Sequence, residues 1–290
     1  MKKIICLLLA MILLIPILAC AEDEDDLDIE ESTEDPEIVE TAEEEETKPG
    51  EATWDFPVAL EDMNPDFVVL ANKHYLLPKG FYVKPLVKAK KLKLNKDGSV
   101  KTEGVRFAVG STMKLQEDCW KALIAMSDAA REDGYNLYLK SAYRSWQTQN
   151  TMYKNRLKKN KGKDDGWVSK AGASDHQTGL GCDVIPKSWI KAKGMNSKMA
   201  KEPECQWMAE HCQEYGFILR YPEDKEDVTE IHFEPWHMRY VGIPAATYIM
   251  ENGLCLEEFN AQLQQAIEDY IAAGGDRKKV EKFIQKPNEE

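Results

Sequence analysis

The stretch SDHQTGLGCD, Ser174 to Asp183, decides how the chain is read once it is set beside EPWH, Glu234 to His237, about fifty residues downstream. Between them they hold two histidines, a closing aspartate and a spare glutamate. Catalytic zinc takes three protein ligands from His, Asp, Glu or Cys and keeps a fourth position for water. His176, Asp183 and His237 supply the three. Glu234 is then free to accept a proton from that water, the general-base role in a metallohydrolase. On an ideal strand residues three apart point to opposite faces, so a bend at Pro235 is needed to turn Glu234 and His237 inward together.

Glycines 172, 179 and 181 make the first half-site a turn-rich passage into a short strand, Cys182 to Ile185. Cys182 is a contender for the metal by chemistry, but on a strand it faces away from Asp183, which points to burial instead. His74 reads as a loop residue and His211 as a helix-packing one. His232 lies two residues before Glu234, in a predicted strand Val228 to Phe233, and is open to an outer-shell role.

Outward from this centre the patterns alternate between helix and strand. Leu115, Cys119, Ala122, Leu123, Met126 and Ala130 share one helical face closed by Gly134. Tyr135 to Tyr143 alternates as a strand and delivers Arg144 to its end, where a functional side chain facing a cleft is expected. Ser145 caps a following helix. Lys90 to Lys101, centred on Asp97-Gly98, reads as a hairpin. Lys158 to Asp165 is a polar surface loop. Pro203 opens a helix ended by Gly216, Phe217 to Tyr221 is a strand, and Pro244 to Asn252 and Leu256 to Ala273 are helices. Strands and helices do not alternate regularly, so the expected class is α+β, a small antiparallel sheet carrying the zinc site and flanked by helices.

The N-terminal region is of another kind. Lys2 and Lys3 precede an apolar run, Ile4 to Leu14, which is short for a membrane span and has the pattern of a secretory signal peptide. Ala19-Cys20 resembles a bacterial lipoprotein box, in which Cys20 is the lipidated residue. Glu22 to Glu46 holds sixteen acidic residues and no Lys or Arg, a composition that cannot bury enough apolar surface to offset its ordering entropy. A coil of that length reaches on the order of 30 Å. The net charge of −13 belongs to this stretch, since Ala52 to Glu290 sums to +1. Nothing in that balance calls for nucleic acid. The expected division is a lipoprotein signal over 1–20, an acidic tether over 21–53, the zinc domain over 54–243 and a helical extension over 244–290. Five cysteines remain past the leader, an odd number that argues against a disulfide framework.

Three blocks then carry a resemblance: SAYRSWQTQ at 141–149, SDHQTGLGCD at 174–183 and EPWHMRYVG at 234–242. In order and spacing they resemble the signature blocks of the VanY-type D-alanyl-D-alanine carboxypeptidases, which belong to a wider group of zinc peptidases with lysostaphin-like and hedgehog-like folds. The resemblance runs from about Asn72 to Gly242. It implies Zn2+ on His176, Asp183 and His237, Glu234 as base, Arg144 near the reacting carbonyl and terminal carboxylate, and Gln149 and Ser174 as hydrogen-bonding partners of the peptide. Ala142 stands where glycine is frequent and Asp175 where glutamate is; neither is expected to touch the metal set.

The implied activity is removal of the terminal D-alanine from peptidoglycan stem peptides by a monomer held at the outer face of the cytoplasmic membrane through Cys20. Its rivals are an L,D-carboxypeptidase acting on tetrapeptide stems, a cross-bridge endopeptidase and a non-catalytic wall-binding module. The last predicts loss of Glu234 or a ligand, and all four are present.

Overall fold

A computed structural model describes residues 52–288. The segment read as a leader, Cys20 and the whole acidic stretch Glu22 to Glu46 lie outside the described residues. Nine strands and seven α-helices follow in order: β1 (Leu86–Lys88), β2 (Lys93–Leu94), β3 (Val100–Thr102), β4 (Arg106–Phe107), β5 (Lys114–Gln116), α1 (Glu117–Glu132), β6 (Leu137–Ser141), α2 (Trp146–Lys159), β7 (Gly181–Pro186), α3 (Pro203–His211), β8 (Phe217–Leu219), α4 (Glu226–Thr229), β9 (His237–Tyr240), α5 (Ile243–Glu251), α6 (Leu256–Ala272) and α7 (Arg277–Val280). The main sheet has the order β4-β6-β7-β9-β8. Every pair in it is antiparallel except the β4–β6 edge, which is parallel. The α+β expectation holds, with that one parallel edge added.

Helix α1 forms where its ends are satisfied. The Gln116 side chain accepts from the backbone N–H groups of Asp118 and Cys119 at 2.7 and 3.0 Å, and Glu117 and Asp118 complement the positive end of the helix dipole. Gly134 takes the left-handed φ of +90° that ends the helix. The buried stripe Cys119, Trp120, Leu123, Met126 and Ala130 packs against the sheet. At about 1.5–3 kcal/mol for each of Leu123 and Met126, this burial rather than intrinsic propensity holds the helix in place.

The central strand β7 is buried at all six positions, as a strand covered on both faces must be. Cys182 and Val184 enter the core while Asp183 takes the other face, the period-2 alternation that excludes Cys182 from the metal. A second apolar cluster joins Phe259, Leu263, Ile267 and Tyr270 of α6 to Ala245, Ala246 and Ile249 of α5 and to Val58, Val68 and Leu70 of the lead-in. The helices after Gly242 therefore share a core with the first residues described.

The expected hairpin is β2–β3, and Ser145 caps α2 by accepting from Thr148 N–H. The strand expected over Val228–Phe233 is not there. Glu226 to Thr229 form α4, Glu230 follows at φ +54°, and the Glu226 carboxylate accepts from Phe233 N–H at 2.7 Å, a bond that replaces a ladder partner. The next strand, β9, starts beyond Pro235 instead.

The five cysteines among the described residues, Cys119, Cys182, Cys205, Cys212 and Cys255, are free and buried. Burial pushes the thiols of Cys205, Cys212 and Cys255 up to about 12. A thiol reagent at neutral pH is therefore expected to leave these five untouched in the native protein and to modify all of them after unfolding, as counted by intact mass. Fast labelling of the native fold would contradict the burial.

Candidate zinc centre

The site is laid out by strand register. Ser141 on β6, Asp183 on β7 and His237 on β9 are direct partners across three adjacent strands. His176 arrives from a short 3-10 turn, Asp175–Gln177, and its backbone carbonyl accepts from Arg144 N–H at 2.9 Å. Gly181 permits the turn to fold back on the strand: a Cβ there would come within 2.8 Å of the Asp175 Cβ. His176, Asp183 and His237, all buried, bring their ligand atoms within 4.8 Å of one another.

The spacing suits zinc. Tetrahedral bonds of about 2.0–2.2 Å separate ligand atoms by roughly 3.3–3.6 Å. His176 Nε2 is 3.4 Å and His237 Nδ1 3.1 Å from the same oxygen of Asp183. The other ring nitrogen of His176, Nδ1, lies 2.8 Å from the Ala142 carbonyl, which can only accept, so Nε2 presents its lone pair to the metal position. Burial and the nearby Arg144 guanidinium lower the His176 pKa, favouring the neutral ring a ligand requires. Burial alone would raise the Asp183 carboxyl, but His176 and His237 outweigh it and hold the group well below the usual carboxylate range.

Glu234 stands beside this set, its Oε2 3.6 Å from His237 Nδ1. The bend at Pro235 is real: Glu234 carbonyl accepts from His237 N–H at 3.0 Å across a tight turn, which swings both side chains to one side. Burial, with Asp183 adding to it and Arg144 opposing, pushes the Glu234 carboxyl well above its ordinary range.

Arg144, Gln149, Ser174, His176, Asp183, Glu234 and His237 all line one cleft of about 360 Å³. Every site residue expected in the folded part of the sequence is thus brought together. Gln149, however, spends its polar groups inside the protein. Its Oε1 accepts from Arg144 Nη1 at 2.7 Å and its Nε2 donates to the Ser169 carbonyl at 2.6 Å. Its main service is to aim Arg144, and the contact with peptide expected of it is limited to the second amide hydrogen and the second lone pair of Oε1.

Three other expectations need correction. Ala142 and Asp175 both touch the metal set, Ala142 through the carbonyl that orients His176 and Asp175 through a carboxylate oxygen 4.0 Å from His237 Nε2. His232 has no such contact; it pairs with Glu226 at 3.0 Å and leans on Trp167, because the segment it occupies is not a strand.

Sequence reasoning also passed over a buried ionic group behind the site. Asp175 accepts from Arg220 Nε at 2.6 Å and from Arg239 Nη1, and Arg220 makes a second, two-pronged pair with Glu257 on α6 at 2.7 and 2.8 Å. Tyr221 was missed as well; its ring packs 5.1 Å from that of His237 and lines the cleft. The available signal was an arginine inside each of two apolar runs, FILRY and HMRYV, since a buried arginine requires a carboxylate partner.

Comparison with known proteins agrees with this geometry. The family model described as VanY, D-alanyl-D-alanine carboxypeptidase, matches residues 112–243. A putative carboxypeptidase of Bacillus subtilis, YodJ, is 34% identical over 201 residues, 68% of each chain. A D-alanyl-D-alanine carboxypeptidase of Enterococcus faecalis is 39% identical over 142 residues, covering 46% of this chain and 50% of that protein. Among solved structures, the LdcB LD-carboxypeptidase superposes with a TM-score of 0.57 at 33% identity, over 69% of this chain and 88% of that one. With His176, Asp183 and His237 grouped so that they could hold a metal, and the adjacent glutamate and the cleft arginine in the same place, the chain belongs to the VanY family of D-alanyl-D-alanine carboxypeptidases and is a zinc-dependent peptidase.

Proposed function

We propose that the reaction is hydrolysis of the bond before the C-terminal D-alanine of a peptidoglycan stem peptide. The observation that carries this reading is the presence of Arg144 in the same cleft as Glu234 and the three ligands, because an exopeptidase must recognise a free carboxylate and a planar guanidinium does so with paired donors. Zinc held by His176, Asp183 and His237 would supply Lewis-acid polarisation and a lowered water pKa. Glu234 accepts the proton of the attacking water and hands it to the leaving amine of D-alanine. Arg144, fixed by Gln149 and by a 3.3 Å bond to Ser141 Oγ, keeps three further N–H donors, a pair for the terminal carboxylate and one for the carbonyl oxygen as negative charge develops there. Ser174, buried at the cleft wall, holds the peptide backbone.

Defined muropeptides and mass spectrometry test the assignment. Purified protein is expected to convert pentapeptide stems ending in D-Ala-D-Ala to tetrapeptides, and a chelator to abolish the conversion. A specific observation favours a second reading: the solved structure with the 0.57 TM-score is an LD-carboxypeptidase. Shortening of tetrapeptide but not pentapeptide stems would establish that reading and overturn the first.

Export and anchoring through Cys20 are part of the same proposal, supported by Lys2 and Lys3, the apolar run and Ala19-Cys20. The substrate lies outside the cytoplasmic membrane, and an acidic stretch after Cys20 lets a single catalytic domain reach the wall. Incorporation of labelled fatty acid into the wild type and its loss in Cys20→Ser check the anchor.

A further inference from the structure

Behind the zinc centre lie two arginines with no exposure at all, Arg220 and Arg239. A buried guanidinium is tolerated only with carboxylate partners and filled donors. Arg239 is anchored by Asp175 and by the carbonyls of Phe67 and Val69 at 2.9 and 2.7 Å. Arg220 divides its donors, Nε to Asp175 and both terminal nitrogens to Glu257. Two cations thus face two anions, Asp175 and Glu257, and the group is neutral only with both anions in place.

That balance bears on the metal. The Asp175 carboxylate lies 4.0 Å from His237 Nε2, a buried nitrogen that has no hydrogen-bond partner among the described residues. His237 Nδ1 points the other way, to Asp183. When Nδ1 coordinates a cation the ring is polarised and its Nε2–H becomes more positive, so a carboxylate opposite it favours the loaded state. If Glu257 is neutralised, Arg220 retains an uncompensated positive charge, and its only remaining carboxylate is Asp175. The surplus cation then opposes zinc, and Asp175 is drawn toward Arg220 and away from the ring.

Glu257 is well placed to be a fixed part of this relay. It sits in the first turn of α6, whose start is held by the Cys255–Glu258 capping box, and Asn72 donates to its Oε1 at 3.2 Å. It also lies beyond residue 243, where the family match stops.

We propose that Glu257 is a positioning residue for the zinc centre, acting through Arg220 and Asp175 on His237, and that the C-terminal helices are in this way part of the active enzyme. The proposal rests on the zinc reading of the triad.

The test is Zn2+ affinity of the full-length chain, stripped of metal and titrated in competition with a chelating dye. Glu257→Gln is expected to weaken binding by roughly 3- to 10-fold, less than the 10- to 100-fold that losing a group bonded directly to a ligand costs, because its effect passes through Arg220 and Asp175. Glu258→Ala removes the carboxylate that caps the same helix and its 3.0 Å pair with Lys225 but touches nothing near the metal; it is expected to lower the melting temperature with Zn2+ affinity unchanged. Wild-type affinity in Glu257→Gln, or equal weakening in both variants, overturns the proposal and leaves the zinc assignment standing. If Glu257→Gln does not fold, Glu257→Asp takes its place: it keeps the charge, loses the two-pronged grip and is expected to weaken binding measurably, and wild-type affinity there overturns the proposal equally. Failure of the wild type to bind Zn2+ would instead remove the zinc reading itself.

Discussion

Exchanging Glu234 for glutamine is expected to leave a protein that binds one zinc ion and cleaves a D-Ala-terminated muropeptide about 10²- to 10⁴-fold more slowly than the wild type, the range over which a positioned general base acts. The reasoning is one of geometry and shape. Glu234 is not one of the three mutually close ligands, yet its Oε2 lies 3.6 Å from His237 Nδ1, so its carboxylate borders the space where a ligand water would stand. Glutamine has the same outline and removes only the capacity to take a proton. Because the carboxylate is replaced by an amide, the slowdown should appear in kcat while KM changes little, as for an interaction made only in the transition state. Metal content by elemental analysis and kinetics on the same preparation separate the two effects. A variant with wild-type kcat and full zinc would show that another group takes the proton.

Much of the fold could be read from the sequence because its signals are local. Ser145 and Gly134 act within three residues of the helix ends they define, and Asp97-Gly98 closes a hairpin of adjacent strands. The clustering of His176, Asp183 and His237 was also legible, through the chemistry of residue types that have few other reasons to be adjacent to glycine-rich turns. Val228–Phe233 was misread because its apolar residues fit a strand, while the deciding bond, from Phe233 N–H to the Glu226 side chain, spans seven residues and has no signature in a hydrophobic pattern.

The parts of the site that were not legible are those made by backbone or by distant pairing. The carbonyl of Ala142 orients His176, and every residue has a carbonyl, so the identity of residue 142 carries no trace of the role. Asp175 meets Arg220 and Arg239 across separations of 45 and 64 residues, which only the folded sheet brings together. The register of β6, β7 and β9 explains why the pieces converge: once Asp183 pairs with His237 across the sheet, the turn carrying Asp175 and His176 is folded onto both. The candidate ligands and the ion pairs behind them are consequences of one strand alignment.

The strongest effect on stability is expected at Asp175. Replacing it with asparagine keeps the volume but leaves Arg220 with Glu257 alone and Arg239 with no carboxylate, and breaking a buried pair on one side costs about 3–5 kcal/mol. Urea unfolding of the metal-free protein at pH 7 measures the difference without any contribution from zinc. Its pH dependence follows from the direction of the shift. Burial acts to raise the Asp175 carboxyl, but Arg220 and Arg239 outweigh it and the pKa is lowered from its ordinary value. A group with a depressed folded-state pKa stabilises the fold fully above its unfolded value, about 3.9, and that stabilisation is lost as pH falls through the folded value. The gap between wild type and Asp175→Asn should therefore stay constant from pH 7 to about pH 5 and narrow only in more acidic solution. A gap that closes already near neutrality would assign the stabilisation to a histidine instead, and a variant as stable as the wild type at pH 7 would mean that the two arginines find other partners or water when Asp175 is lost.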